Sequence, residues 1–95
     1  MNDKTKILSL HPQGKNGVNI LKHKYDVIKN YILQTLETNT VISYQELNRA
    51  AIIELSPTFD GKVGWYLVSV KLDLEARGII ERIPKTSPHQ IRLKV

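Results

Sequence analysis

The side chains that could do chemistry here are three histidines, nine carboxylates and fourteen basic groups, and their spacing argues against most reactions. His11, His23 and His89 fall on three separate segments without ligand spacing, and no cysteine adds a thiolate, so no metal site is expected. Asp73 and Glu75 stand two residues apart on a predicted helix. They diverge by about 200° around it, make no acid–base pair, and are expected on a solvated face. Ser43 has no histidine or lysine at a recognisable spacing to activate it and reads as a helix cap. The string Gly14-Lys15-Asn16-Gly17 lacks the spaced first glycine and the Lys-Ser/Thr pair of a phosphate loop, so it reads as a surface turn. The expectation is a protein that is not an enzyme, uses no cofactor and takes no small-molecule substrate.

What remains is charge. The chain of 95 residues carries a net charge of +5, which favours an anionic partner weakly, since lysine-rich surfaces also serve solubility. The excess sits at the two ends: residues 1–25 carry +4 and residues 79–95 carry +3, whereas residues 26–54 carry −2 and residues 55–78 balance. The apolar run near the start, Ile7 and Leu8 before Ser9, is far short of a signal-peptide core or membrane span. Absence of cysteine is compatible with a reducing compartment. These features read as a soluble, cytoplasmic protein, and at 41% hydrophobic residues the chain supports one small core.

The elements that would position these charges follow from periodicity. Pro12, Gly14, Asn16 and Gly17 make the first segment, through about Lys22, a turn-rich arm; Ile7, Leu8, Leu10, Val18, Ile20 and Leu21 let it dock on the domain. Tyr25, Ile28, Ile32 and Leu36 recur at helical spacing over about 24–38, and Asn39 can take the left-handed conformation that ends that helix. Val41 and Ile42 suit a short strand. Ser43 and Glu46 have capping-box spacing and open a second helix over about 44–54, with Tyr44, Leu47 and Ala51 inward and Ala50 permitting a close crossing. Ser56, Pro57, Asp60 and Gly61 form a connection from which Phe59 plugs the core.

Val63, Leu67, Val70 and Leu74 define a third helix, closed near Arg77 by Gly78, with the Arg77 cation favoured by the helix dipole. Ile79, Ile80 and Ile83 supply a strand that Pro84 interrupts. After a tip of Lys85, Thr86, Ser87 and Pro88, the chain returns with Ile91, Leu93 and Val95 alternating against Gln90, Arg92 and Lys94. Trp65, Val68 and Leu72 form a second apolar stripe, opposite the first. Three covers suit it: the arm folding over through Ile7, Leu8 and Leu10, a homodimer or other protein partner, or insertion into DNA.

The string LEARGIIER, residues 74–82, resembles the end of the recognition helix and the start of the wing in small winged-helix domains. The chain is also similar to small bacterial winged-helix proteins of uncharacterised function. The resemblance implies an α+β winged helix-turn-helix over residues 24–95, three helices with a small antiparallel sheet and a C-terminal hairpin wing, preceded by an arm over 1–23. In DNA-binding members the outward side of the third helix meets the major groove and the wing touches the backbone or minor groove. Carried onto this sequence, the outward positions are Trp65, Tyr66, Val68, Ser69, Leu72 and Asp73. Only Ser69 among them is a conventional polar contact, and the usual base-reading Arg, Lys, Asn and Gln are missing.

Two functions follow as expectations. The first is a nucleic-acid-binding, transcription-regulatory domain that touches duplex DNA phosphates through Arg82, Lys85, Arg92 and Lys94, assisted by Lys4, Lys6, Lys15, Lys22 and Lys24, with Ser69 on the helix. The second is an interaction or dimerisation module that uses Trp65, Val68 and Leu72 without binding DNA.

Overall fold

The structure is a computed structural model that describes residues 5–15 and 17–94. Lys4, Asn16 and Val95, to which the sequence assigns a phosphate contact, a turn and a buried strand position, lie outside the described residues.

The expected arm is a β-hairpin. β1 (Lys6–Leu8) pairs antiparallel with β2 (Asn19–Leu21), in the register Ile7 opposite Ile20. Its far end is closed by contact: a Cβ on Gly17 would stand 1.6 Å from the Ser9 carbonyl oxygen, so only glycine lets the two limbs meet there. The Ser9 N–H donates to the Val18 carbonyl at 2.8 Å, and the Ser9 hydroxyl accepts the Val18 N–H at 3.0 Å. Strands of three residues flanked by Gly and Pro carry too little alternation to be legible as strands.

Helix α1 (Lys22–Asn39) follows directly, two residues earlier than its periodicity suggests, and buries the expected Tyr25, Ile28, Ile32 and Leu36. Asn39 does not supply the left-handed residue. Thr40 does, at φ 65°, while the Asn39 side-chain amide donates to the Thr35 carbonyl. After β3 (Val41–Ser43), helix α2 (Tyr44–Leu55) starts on the predicted cap, the Glu46 N–H donating to the Ser43 hydroxyl at 3.1 Å. The reciprocal half of the capping box is not made, because the Glu46 carboxylate accepts from Arg49 instead. Helix α3 (Val63–Ala76) ends before Gly78, which takes φ 74°, and leads into the hairpin of β4 (Ile80–Ile83) and β5 (Gln90–Leu93). In that hairpin the Thr86 hydroxyl donates to the Ile83 carbonyl and accepts the Gln90 N–H.

The result is an α+β domain of three helices with small antiparallel sheets, the larger in the order β3-β5-β4. Register fixes its two faces. Ile42, Ile91 and Arg82 align on one, with Ile80 and Leu93; Val41, Arg92 and Glu81 align on the other. Ile80 and Ile91 close the core with Leu67, Val70 and Leu74 of α3, Ile28 and Ile32 of α1, and Leu47 of α2, while Leu93 packs half-buried at its edge. Each fully buried aliphatic side chain stabilises the fold by roughly 1.5–3 kcal/mol over its exposed state. No helix of the described residues is long and apolar enough to cross a membrane.

Leu74 is 0% exposed at the centre of this core. Leu74→Ala should therefore cost about 2–5 kcal/mol, read as a drop in the urea midpoint; an unchanged midpoint would reject this packing.

Candidate functional site

The sides of α3 meet different surroundings. On the flank toward α1, Asp73 is fully buried, not outward on a solvated face as its wheel position suggests. Its carboxylate accepts the Leu10 N–H at 2.8 Å, both oxygens accept from Arg77 Nε at 2.9 Å, and the Tyr25 hydroxyl donates to Oδ2. Three donors satisfy the charge and join the hairpin, α1 and the end of α3 at one group. Burial, and then the hydrogen bond to Asp73, push the Tyr25 phenol well above its ordinary range; Arg77 is raised by its own hydrogen bonds to Asp73. Arg77 is thus bound to a carboxylate in addition to ending the helix, and its Nη2 lies 3.5 Å from the Leu8 carbonyl.

On the flank toward α2, Lys71 is buried and pairs with Glu75 at 3.2 Å, so Glu75 is not on a solvated face either. The Lys71 ammonium lies 5.1 Å from the centroid of the Tyr44 ring, which stacks on His89 at 5.3 Å and 9°. Desolvation lowers the Lys71 pKa against the opposing pull of Glu75. His89 is lowered by burial and then by Lys71 and Arg82, and its Nε2 is enclosed without a hydrogen-bond partner. Both ion pairs, Asp73 with Arg77 and Lys71 with Glu75, have the i,i+4 spacing that marks helix pairs, and that signal is in the sequence.

The outward side is divided. Trp65 is 46% exposed and packs edge-on against Tyr66 at 4.9 Å, with Phe59 beyond it at 5.0 Å. Lys24 caps this aromatic group from α1, 5.3 Å from the Tyr66 centroid. Ser69 and Leu72 face the hairpin across a crevice of about 90 Å³ lined also by Ser9, Leu10, His11, Gly17 and Val18. The hairpin therefore stands over the carboxyl-terminal half of the stripe and leaves Trp65 open, and Leu8 and Leu10 remain 56% and 42% exposed instead of covering it. Val68 and Leu72 are half-buried.

The four basic residues of the second hairpin do not share a face. Arg92 and, two residues on, Lys94 lie on the sheet face opposite Ile91, where Arg92 Nε bonds Glu81 at 2.7 Å beside the end of α1. Arg82 lies on the opposite side, its charge felt by Lys71 and His89, and Lys85 sits at the exposed turn with φ 61°. In the first segment, Lys22 pairs with Asp26 at 2.7 Å and Lys24 is tucked against Tyr66 and Asp60, whereas Lys6 and Lys15 are exposed. His11 accepts the Gln13 N–H within its turn. Among the described residues, no three His, Cys, Asp or Glu side chains converge as a metal site would require.

Removing the Asp73 carboxylate leaves the Leu10 and Tyr25 donors unpartnered. Asp73→Ala should cost at least about 1–3 kcal/mol and accelerate exchange of the Leu10 amide well before the core amides. Protection of Leu10 equal to that in the unmodified protein would mean the carboxylate does not hold the hairpin.

None of the curated proteins and none of the solved structures compared with the chain matches it. A model described as a family of unknown function (DUF6958) matches residues 6–91, taking in the first hairpin, all three helices and most of the second hairpin, and the chain belongs to that family.

Proposed function

We propose that the chain is a winged-helix domain that works by docking another protein on the outward side of α3, centred on Trp65. The fold half of this reading is supported by the element order and by the β4–β5 hairpin packed through β5 on β3, as the LEARGIIER resemblance implies. The functional half is carried by one observation: a tryptophan 46% exposed at the start of the helix, packed edge-on against Tyr66 with Phe59 beyond it. Exposed aromatic surface is what protein interfaces bury, and tryptophan is enriched among their anchors. Ser69, the one polar group suited to base contact, faces the hairpin and not open solvent. Leu72 shares that crevice, so a charge placed there would test the hairpin; position 62, exposed just before α3, reports on the contact. A photo-crosslinking residue at position 62 in living cells should give discrete protein adducts that Trp65→Ala abolishes. Adducts to nucleic acid, or protein adducts indifferent to Trp65, would defeat the reading.

A second reading, duplex DNA held through phosphates, is favoured by the net charge of +5 and by exposed Arg82, Lys85 and Lys94. Against it stand the Arg92–Glu81 pair and the division of these cations between two faces. Neutralising Arg82, Lys85, Arg92 and Lys94 together should, on this reading, lower both affinity for duplex DNA and the slope of log affinity against log salt. Equal binding at low salt by both proteins would remove it.

A further inference from the structure

Where the turn of the second hairpin meets α2, one histidine makes the junction. The His89 carbonyl accepts the Tyr44 N–H at 2.9 Å, and the His89 ring stacks on the Tyr44 ring with centroids 5.3 Å apart and planes within 9°. Tyr44 is the first residue of α2, so that carbonyl satisfies one of the amides that a helix start leaves without an intrahelical acceptor. Thr86 ties the turn to its own hairpin, through Ile83 and Gln90, whereas His89 ties it to the helix.

The surroundings of the ring suit a neutral imidazole and oppose a charged one. Lys71 on α3, itself 3% exposed, and Arg82 on β4 both direct positive charge at it. Glu75 on α3 pulls the other way, but its carboxylate is already engaged with the Lys71 ammonium at 3.2 Å. From α2, the amino-terminal end of the helix adds partial positive charge, and burial raises the Tyr44 phenol, which keeps it neutral. A charged imidazole carries an N–H on both nitrogens, and Nε2 is enclosed with no acceptor among the described residues. The Tyr44 face attracts a cation, but Lys71 already stands 5.1 Å from the centroid of that ring.

We propose that this junction is an acid-sensitive latch: uptake of one proton by His89 releases its ring from Tyr44 and frees the turn of the second hairpin from α2. In the closed junction burial, and then Lys71 and Arg82, hold the His89 pKa below its ordinary value of 6.5; in the open one the ring is solvated and the ordinary value returns. A group depressed in the closed state contributes its full stabilisation above the open-state value and loses it as pH falls through the closed-state value. Within that window each pH unit favours the open junction by up to about tenfold. Carboxylates titrate at about pH 4 and contribute little there.

NMR titration of the His89 ring and hydrogen exchange of the Tyr44 amide, both on the full chain between about pH 7.5 and about pH 5, test this. The ring should titrate below 6.5. Over the same range the Tyr44 protection factor should fall by up to about tenfold, while amides of the core helix positions, such as Leu67, keep theirs. His89→Phe, which stacks but takes up no proton, should lose the pH dependence. His89→Gln, which lacks the ring, should show already at neutral pH the weak Tyr44 protection that the unmodified chain reaches only in acid. A chain carrying His11→Gln and His23→Gln should respond as the unmodified one does. A His89 ring that titrates at or above 6.5, Tyr44 protection indifferent to pH, full protection in His89→Gln, the same acid loss in His89→Phe, or a response abolished by the two distant histidine substitutions would overturn the inference.

Discussion

Helix α3 is apolar around most of its circumference, and the remainder of the molecule is arranged to cover it. Leu67, Val70 and Leu74 need a core, and α1, α2 and the β3-β5-β4 sheet provide one. Covering one face leaves the flanks, where the helix carries Lys71 and Asp73 among its buried residues. A buried charge is tolerated only when it is paired and hydrogen-bonded, so these two residues dictate what packs beside them. Asp73 requires donors and finds them on the hairpin, on α1 and one turn along its own helix. Lys71 requires a carboxylate and an aromatic face and finds Glu75 and Tyr44.

The amino-terminal hairpin is consequently part of the fold. Ile20 is 1% exposed and Ile7 packs against the core, which anchors one end, and the Leu10–Asp73 bond fastens the other. The family match beginning at residue 6 includes this unit with the rest. Its placement has a cost for groove reading, because the loop faces Ser69 and Leu72, positions that a recognition helix would present to bases. What stays open is the first turn of α3 beside α2. Trp65 is exposed there, and Ile52 and Ile53 are exposed on α2.

Much of the fold was legible because it depends on local rules. The helical period identified Tyr25, Ile28, Ile32 and Leu36 on α1 and Val63, Leu67, Val70 and Leu74 on α3; the Ser43 cap and Gly78 set two boundaries; Ile91 alternated inward. These signals act over a few residues and need no knowledge of neighbours. The first hairpin escaped because its strands are three residues long and its closure depends on Gly17 meeting Ser9 across the turn.

The candidate site divides in the same way. The sequence by itself determined that α3 has two apolar sides, that it lacks base-reading side chains, and that positive charge gathers at the chain ends, since these are properties of residue type and spacing. Tertiary structure decided which charges are free to act. It buried Asp73 and Lys71, tied Arg92 to Glu81, and put Arg82 and Arg92 on opposite faces, because the cross-strand pairing of Arg82 with Ile91 and Glu81 with Arg92 decides where each points. It also left Trp65 open and covered Ser69, an outcome fixed by where a carboxylate 63 residues away in sequence could hold the Leu10 amide.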